Sequence, residues 1–311
     1  MPVIEVRDLH VQFGKVNALR GLTMRVEQGD IYGFIGPNGA GKTTTLRVLA
    51  TLQELDSGSV SIAGADALTQ PAAVKRHIGF MPDFATFYPS LTVWEYLDFF
   101  ARAYGLRGTA RKQVVDAAIE LTGLRERRDQ LVGQLSRGLQ QRVGLARLLA
   151  HDPEVMLLDE PASGLDPRAR IELRQLLRDL AGLGKTIVIS SHILSELEDL
   201  CSRVGIIDRG RLVAEGTASE IGRQMQAGNS YVIGVAGDAA IARQTLLSLP
   251  GVMTTTVLDG RIHIQTDATH ADPGDLVRAL VLAGIRVVEC RKEESGLEKL
   301  FLSLTEEGGS S

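Results

Sequence analysis

The chain has 311 residues, 44% of them hydrophobic, with a formal net charge of −4 and two cysteines, Cys201 and Cys290. That length allows about two domains with cores of their own, which excludes a disulfide-stapled mini-protein and a disordered chain. The acidic balance argues against a generally basic nucleic-acid binder while leaving a local basic patch open, and no nucleic-acid partner is expected. The first residues, Met1 to Glu5, lack a basic segment followed by an apolar one, so no signal peptide is expected. The most membrane-like stretch, 279–285, falls far short of the roughly 20 residues a spanning helix needs. A soluble, cytoplasmic protein is the expectation.

In chain order, Ile4, Val6, Val11 and Phe13 fit an irregular strand, and 22–26 alternates as a half-buried one. A nearly continuous apolar run over 30–35 predicts a buried strand. It leads straight into Gly36-Pro37-Asn38-Gly39-Ala40-Gly41, which is turn material, and 42–52 then reads as a helix. Short strands are expected at 60–63 and 78–81. From about 84 to 150 the character changes. Val93, Leu97, Phe100, Ala101 and Tyr104 recur at helical spacing, as do Val114, Ala117, Ala118 and Leu121, so a helical lobe is expected there. Strands return at 154–158, 186–190 and 203–207, with Asp208-Arg209-Gly210 predicting a hairpin turn into Leu212 and Val213. This alternation predicts a mainly parallel sheet covered by helices.

Near residue 216 the pattern weakens, and 215–230 reads as a helical connector that ends in a break. The remainder, 221–311, reads as β-α-β-β-α-β. Its strands fall at 231–235, 252–258, 261–265 and 286–290, and its helices at 239–249 and 275–283. Asp259-Gly260 supplies the middle turn, and a final helix is expected near 296–305. That order predicts a small α+β, ferredoxin-like domain. A fold of this kind does not by itself assign a function.

Gly36 to Thr43 matches G-x-x-x-x-G-K-[ST] at every fixed position, and chance gives such a match in a chain this long with odds on the order of 1%. A strand before it and a helix after it complete a phosphate loop. Its backbone N–H groups and the helix N-terminus would face phosphate oxygens. Lys42 would bridge the β- and γ-phosphates, and the Thr43 hydroxyl would bind Mg²⁺. A second Gly-Lys-Thr at 184–186 fails the pattern, since Asp179 stands at its first glycine position and a strand follows. The apolar run 155–158 ends in Asp159-Glu160, which suits Mg²⁺ coordination by Asp159 and water activation by Glu160. Such a run alone is weak, because strands often end in acids; with Lys42 upstream it is specific.

The phosphate loop, the segment Gly133-Gln134-Leu135-Ser136-Arg137-Gly138-Leu139-Gln140-Gln141-Arg142 and the segment Leu157-Leu158-Asp159-Glu160-Pro161 through Asp166-Pro167 together resemble the ATPase subunit of ATP-binding-cassette (ABC) transporters. The resemblance covers about 3–220, and the C-terminal part is similar to the extension on ATPase subunits of bacterial exporters. It implies an α/β P-loop NTPase cassette over 1–220, with an antiparallel β subdomain and a helical subdomain, that binds ATP and Mg²⁺. The implied nucleotide contacts are Gly36, Pro37, Asn38, Gly39, Ala40, Gly41, Lys42, Thr43 and Thr44. The family's signature segment places Ser136 and Gly138 against the γ-phosphate of ATP held by a partner subunit. The segment from Ser163 to Asp166 matches the loop that crosses between two ATP sites. His192 fits the switch histidine that contacts the γ-phosphate, although a lone histidine is more often structural. Phe13 occupies the position that stacks on adenine, and a core residue of the first strand explains it equally well. Lys42, Glu160 and His192 are the implied catalytic residues, and Thr43, Asp159 and Asp83 the implied metal contacts.

Two positions depart from the family's pattern. Arg137 stands where the signature has glycine, adding bulk and charge near the partner's phosphates unless it points to solvent. Asp83 stands where a glutamine touches Mg²⁺ and the attacking water; it is shorter and charged, and a carboxylate can keep a metal contact. The implied partners are a second ATPase subunit, identical or paired, and an integral membrane permease met by the helical lobe around Phe87, Tyr88, Trp94 and Tyr96. Core packing competes as the explanation of those aromatics. The sequence Arg125-Glu126-Arg127-Arg128 reads as a solvated turn. The C-terminal domain would stabilise a dimer or regulate it, and the chain would sit on the inner face of the cell membrane. The rival reading is a soluble ABC-family ATPase acting on nucleic acid or ribosomes. It is disfavoured by the absence of long heptads between Lys42 and Ser136 and of a second cassette.

Overall fold

A computed structural model describes residues 2–83, 86–193, 197, 200–217, 220–221, 230–237, 239–258, 260–267 and 272–293. The helix expected near 296–305 lies outside these residues, as do Asp259 and most of the connector expected over 215–230. The chain forms two compact units, Met1–Ala218 and Ser219–Ser311.

The first unit holds two sheets. One is antiparallel, built from β1 (Pro2–Phe13), β2 (Val16–Glu27), β4 (Ser57–Ile62) and β5 (Ala65–Asp66) in the order β2-β1-β4-β5. Register shifts along β1 account for its irregular apolar pattern, because each bulge moves the buried face by one residue. The second sheet comprises β3 (Ile31–Ile35), β6 (Ile78–Met81), β7 (Val155–Asp159), β8 (Thr186–Ser191), β9 (Arg203–Asp208) and β10 (Arg211–Gly216), ordered β10-β9-β3-β8-β7-β6. All its pairs are parallel except β9 with β10. Every residue of β3, β7 and β8 is buried, as continuous apolar runs require when helices cover both faces. At the β9–β10 turn, Arg209 and Gly210 both have positive φ, the geometry of a two-residue hairpin turn.

The helices of this unit are α1 (Lys42–Leu49), α2 (Pro71–His77), α3 (Val93–Ala103), α4 (Gly108–Leu121), α5 (Arg137–Leu149) and α6 (Pro167–Gly182). The helix expected over 42–52 stops at Leu49, and Thr51 beyond it has taken a left-handed φ of 56°. Thr92 and Glu95 form a reciprocal capping box that starts α3. Buried Val93, Tyr96, Leu97 and Ala101 of α3 face α4 and α5 in the helical lobe, alongside Val115, Ala118 and Ile119.

What positions a site is the way four parallel strands end together. Ile35 pairs with Ser191, Asp159 with Ser190, and Met81 with Leu158. The segments leaving β3, β6, β7 and β8 therefore emerge side by side at the carboxyl edge, where open α/β sheets bind ligands.

The second unit contains β11 (Ser230–Ala236), α7 (Ala239–Leu247), β12 (Val252–Leu258), β13 (Arg261–Thr266), α8 (Pro273–Leu282) and β14 (Arg286–Glu293). Its sheet is antiparallel with order β12-β13-β11-β14, the ferredoxin-like arrangement. Tyr231, Ile233, Ala242, Leu246, Ile262, Ile264, Leu276 and Leu280 form its core. The Asp272 carboxylate accepts from the Gly274 amide at 2.7 Å, and Pro273 occupies the first turn, so α8 starts as a capped helix. Among the described residues no helix is long and apolar enough to cross a membrane.

Candidate functional site

The loop 36–41 leaves β3 and runs into α1. Its glycines answer to close approach. A Cβ on Gly36 would collide with the Ile207 carbonyl; one on Gly41, whose φ is +114°, would stand 2.8 Å from a Leu19 methyl and 2.9 Å from the Ala18 carbonyl. Gly41 is also the N-cap of α1 and supplies no side chain, so the first amides of the helix are left for an anion. Lys42 follows with 6% exposure. Its Nζ donates to the carbonyls of Gly36 at 2.7 Å and Pro37 at 3.3 Å, and lies 3.3 Å from Glu160 Oε1. An ammonium so enclosed is stable only because it is paired and hydrogen-bonded.

Asp159 closes β7 at 2% exposure, and Glu160 follows it. The Ser190 hydroxyl serves both: it donates to Asp159 Oδ1 at 2.7 Å and accepts from the Glu160 amide at 2.9 Å. Glu160 has a φ of 47°, a left-handed conformation that costs a non-glycine residue about 1–3 kcal/mol and is held by such bonds. This bend aims its carboxylate along the carboxyl edge. Oε1 meets Lys42, and Oε2 meets His192 Nδ1 at 2.8 Å. Lys42, Glu160 and His192 thus form one chain of polar contacts. Sequence reasoning misses Ser190. The available signal was a hydroxyl near the end of an apolar strand, two residues before His192.

A cavity of about 310 Å³ opens over these groups. Pro37, Asn38, Gly39, Gly41, Lys42, Thr43 and Thr44 line one side, and Asp83, Glu160 and His192 another. Ala18 and Ser163 complete it; Ser163 begins the loop the resemblance places between two ATP sites, and sequence reasoning misses Ala18. Gly36, Ala40 and Asp159 are buried and do not line the cavity. Asp83 follows β6, and its Oδ1 is buried without a hydrogen-bond partner. Burial, then the charges of Asp159 and Glu160, push its carboxyl above the usual range, while Arg137 and His192 pull it back. Among the described residues no cluster of three or more His, Cys, Asp or Glu could hold a metal alone. A divalent cation here would need phosphate oxygens as well, which is how Mg²⁺ is commonly held. Phe13 is 47% exposed at the end of β1 and lines no part of the cavity. Its exposure removes the alternative of a core residue.

Ser136, Gly138 and Asp166 lie elsewhere. They line a second cavity of about 140 Å³ that includes no residue of the phosphate loop. Ser136 caps α5, its Oγ accepting from the Leu139 amide at 3.4 Å, and Asp166 caps α6, accepting from the Ala169 amide at 2.9 Å. A Cβ on Gly138 would come 3.0 Å from that of Ala169, so this glycine also lets α5 approach α6.

The aromatic residues of the helical lobe divide by environment. Tyr96 is fully buried, which corrects its assignment to a contact surface. The Trp94 indole N–H donates to Asp116 at 3.3 Å with the Arg128 guanidinium over its ring at 5.3 Å. Arg128 is therefore held by Trp94 and by Asp116, 3.7 Å away, and is not simply part of a solvated turn. Tyr88 at 51% and Phe99 at 48% exposure meet edge to face on the surface.

Comparison with known proteins gives a consistent result. The family profile described as "ABC transporter" matches residues 19–163. The chain is 31% identical over 306 residues to the linearmycin resistance ATP-binding protein LnrL of Bacillus subtilis (strain 168), covering 97% of this chain and 98% of that one. It is 41% identical over 229 residues to the Nod factor export ATP-binding protein I of Burkholderia lata, covering 71% and 75%. Among solved structures, one titled as the ATP binding subunit of an ABC transporter superposes with a TM-score of 0.64 at 32% identity, over 71% of this chain and 92% of the other.

Proposed function

This chain belongs to the ABC transporter family as an ATP-binding, ATP-hydrolysing subunit, and we propose that it powers export through a separate integral membrane permease. The observation that carries the reading is the meeting of Lys42, Glu160 and His192 on one cavity beneath the loop 36–41. The name of the Nod factor relative supports the direction of transport.

Each group has a task that its present contacts prepare. The amides of the loop and of the α1 N-terminus receive the phosphates. Lys42 Nζ, now on two carbonyls and Glu160, transfers to the β- and γ-phosphate oxygens, which carry more charge. That exchange frees Glu160 Oε1, while His192 and the Ser190 bond keep the carboxylate aimed. Glu160 then orients the attacking water and takes its proton as the oxygen bonds to the γ-phosphorus and ADP departs. The residues fit Mg²⁺: Asp83 has an unpartnered buried oxygen, Asp159 is fixed by Ser190, and Thr43 lines the cavity with its hydroxyl-bearing side chain. When bound, Mg²⁺ would offset charge on the transferring phosphoryl group.

Separation of the Ser136, Gly138 and Asp166 cavity from the phosphate cavity supports a two-chain site. A second copy or a paired subunit would bring its α5 N-terminus to the γ-phosphate bound here. Exposed Tyr88 and Phe99 suit the permease contact, since aromatic side chains are enriched at interface hot spots. The chain would then sit on the inner face of the membrane. The second unit would stabilise or regulate the dimer.

Replacing Glu160 with Gln tests this scheme. At saturating Mg-ATP the variant should sediment as an ATP-bound dimer and release phosphate at least about 100-fold more slowly. A monomer under those conditions would overturn the two-chain site.

A further inference from the structure

Two hairpin turns of the first unit share nearly the same backbone. Ala63 and Gly64, between β4 and β5, have φ of 49° and 78°; Arg209 and Gly210, between β9 and β10, have φ of 46° and 79°. Their surroundings differ. A Cβ on Gly64 would meet nothing within 4 Å, whereas one on Gly210 would stand 2.5 Å from the Ala18 carbonyl oxygen and 2.9 Å from the Leu19 Cα. Gly210 is buried, and its main chain joins two other segments. Its N–H donates to the Ala40 carbonyl at 2.8 Å, and its carbonyl accepts from the Arg20 amide at 2.8 Å. The Ala18 carbonyl is thus wedged between Gly210 and Gly41, whose own Cβ would lie 2.9 Å from it. At the other end of the phosphate loop, Gly36 lies against the carbonyl of Ile207 in β9. The strand β9 and its turn therefore brace both ends of the loop 36–41.

The bond to Ala40 has a directional consequence. A peptide unit is planar and trans, so its C=O and N–H point opposite ways. The carbonyl of Ala40 and the N–H of Gly41 belong to one such unit. With that carbonyl held on Gly210, the Gly41 N–H is turned away from the β9–β10 turn. Gly41 lines the phosphate cavity while Ala40 does not, and the Gly41 N–H has no acceptor among the described residues. We propose that Gly210 is a positioning residue for nucleotide binding: its amide fixes the Ala40–Gly41 peptide so that the Gly41 N–H faces a phosphate oxygen. This rests on the phosphate-binding reading of the loop given above. An N–H that is already aimed loses little freedom when the anion arrives, which raises affinity. It serves bound nucleotide before and during the reaction alike, so its effect falls on KM and not on kcat.

The paired variants Gly210→Ala and Gly64→Ala test this. Both place a methyl group at the same left-handed φ and so share the backbone strain. Gly210→Ala should raise the Kd for ADP and the KM for ATP about tenfold, with kcat within about threefold. Gly64→Ala should leave all three within about twofold. Equal shifts in the two variants, or none in Gly210→Ala, overturn the proposal. A methyl at 210 also presses on Ala18, so a second change isolates the hydrogen bond. Glycolic acid in place of Gly210 exchanges the N–H for an ester oxygen and adds no Cβ. It should weaken ADP binding at least about fivefold. Unchanged affinity overturns the proposal, and this arm decides it if Gly210→Ala does not fold. A native chain that binds no ADP would overturn the phosphate-binding reading and this one with it; native binding with unchanged variants overturns the positioning role alone.

Discussion

The first unit buries Lys42 and Asp159 at 6% and 2% exposure, each tied to named partners. In the second unit the buried polar side chains among the described residues are Thr255 and Thr266, and the core is otherwise apolar. Exposed apolar side chains occur in both units, Leu282 at 81% and Val288 at 71% in the second and Val16 at 66% in the first, so the buried charge is what separates them. Both units place helices on a sheet. Burying charge is costly, so it persists where the charge is used. The contrast in buried charge places the chemistry in the first unit.

The sharpest way to break this contrast is Lys42→Ala. It should lower phosphate release by at least about 100- to 1,000-fold, the scale of losing a preorganised charge in a dry site. Turnover within tenfold of native would mean the buried lysine is structural. Next in size is Ser190→Ala, which removes the hydroxyl shared by Asp159 and the Glu160 amide. It should cost about 1–3 kcal/mol in denaturant unfolding and about tenfold in kcat. Loss of stability with kcat unchanged would reduce Ser190 to a structural bond. Tyr88→Ala should leave turnover of the isolated chain within about twofold but abolish its stimulation by the permease. Equal stimulation of native and variant would move the contact elsewhere. Smallest of all, Leu282→Asp should leave turnover unchanged and shift unfolding by no more than about 0.5 kcal/mol. Its readout is sedimentation, where weaker self-association is expected if the second unit stabilises a dimer.

How far such a site can be read from sequence depends on how local its parts are. The phosphate loop was legible because its positions are contiguous and its flanking strand is one apolar run. Asp159 and Glu160 were legible for the same reason. Ser190 was not, because the groups it joins lie on a neighbouring strand, and pairing between parallel strands leaves no mark in either segment. Bulges in β1 hid the exposure of Phe13, since every register shift exchanges the faces of the strand. Trp94 and Tyr96 look alike in a count of aromatics. Only the polar handle at Asp116 and the complete burial of Tyr96 separate them. Two short elements, β5 and α2, are too brief to show a period. The ferredoxin-like order of the second unit was readable strand by strand, because its hairpins and helices alternate cleanly.

The shared level at which β3, β6, β7 and β8 end has a consequence for how this protein can vary. Each strand acts as a measured arm that delivers one participant to the cavity. Dropping a single residue from β7 would withdraw Glu160 by about 3.3 Å and turn its side chain to the opposite face. Exchanging Leu for Ile or Val within the same strand would change neither. The site should therefore be forgiving of composition and intolerant of length, so that viable insertions and deletions gather in the connections at the opposite ends of these strands.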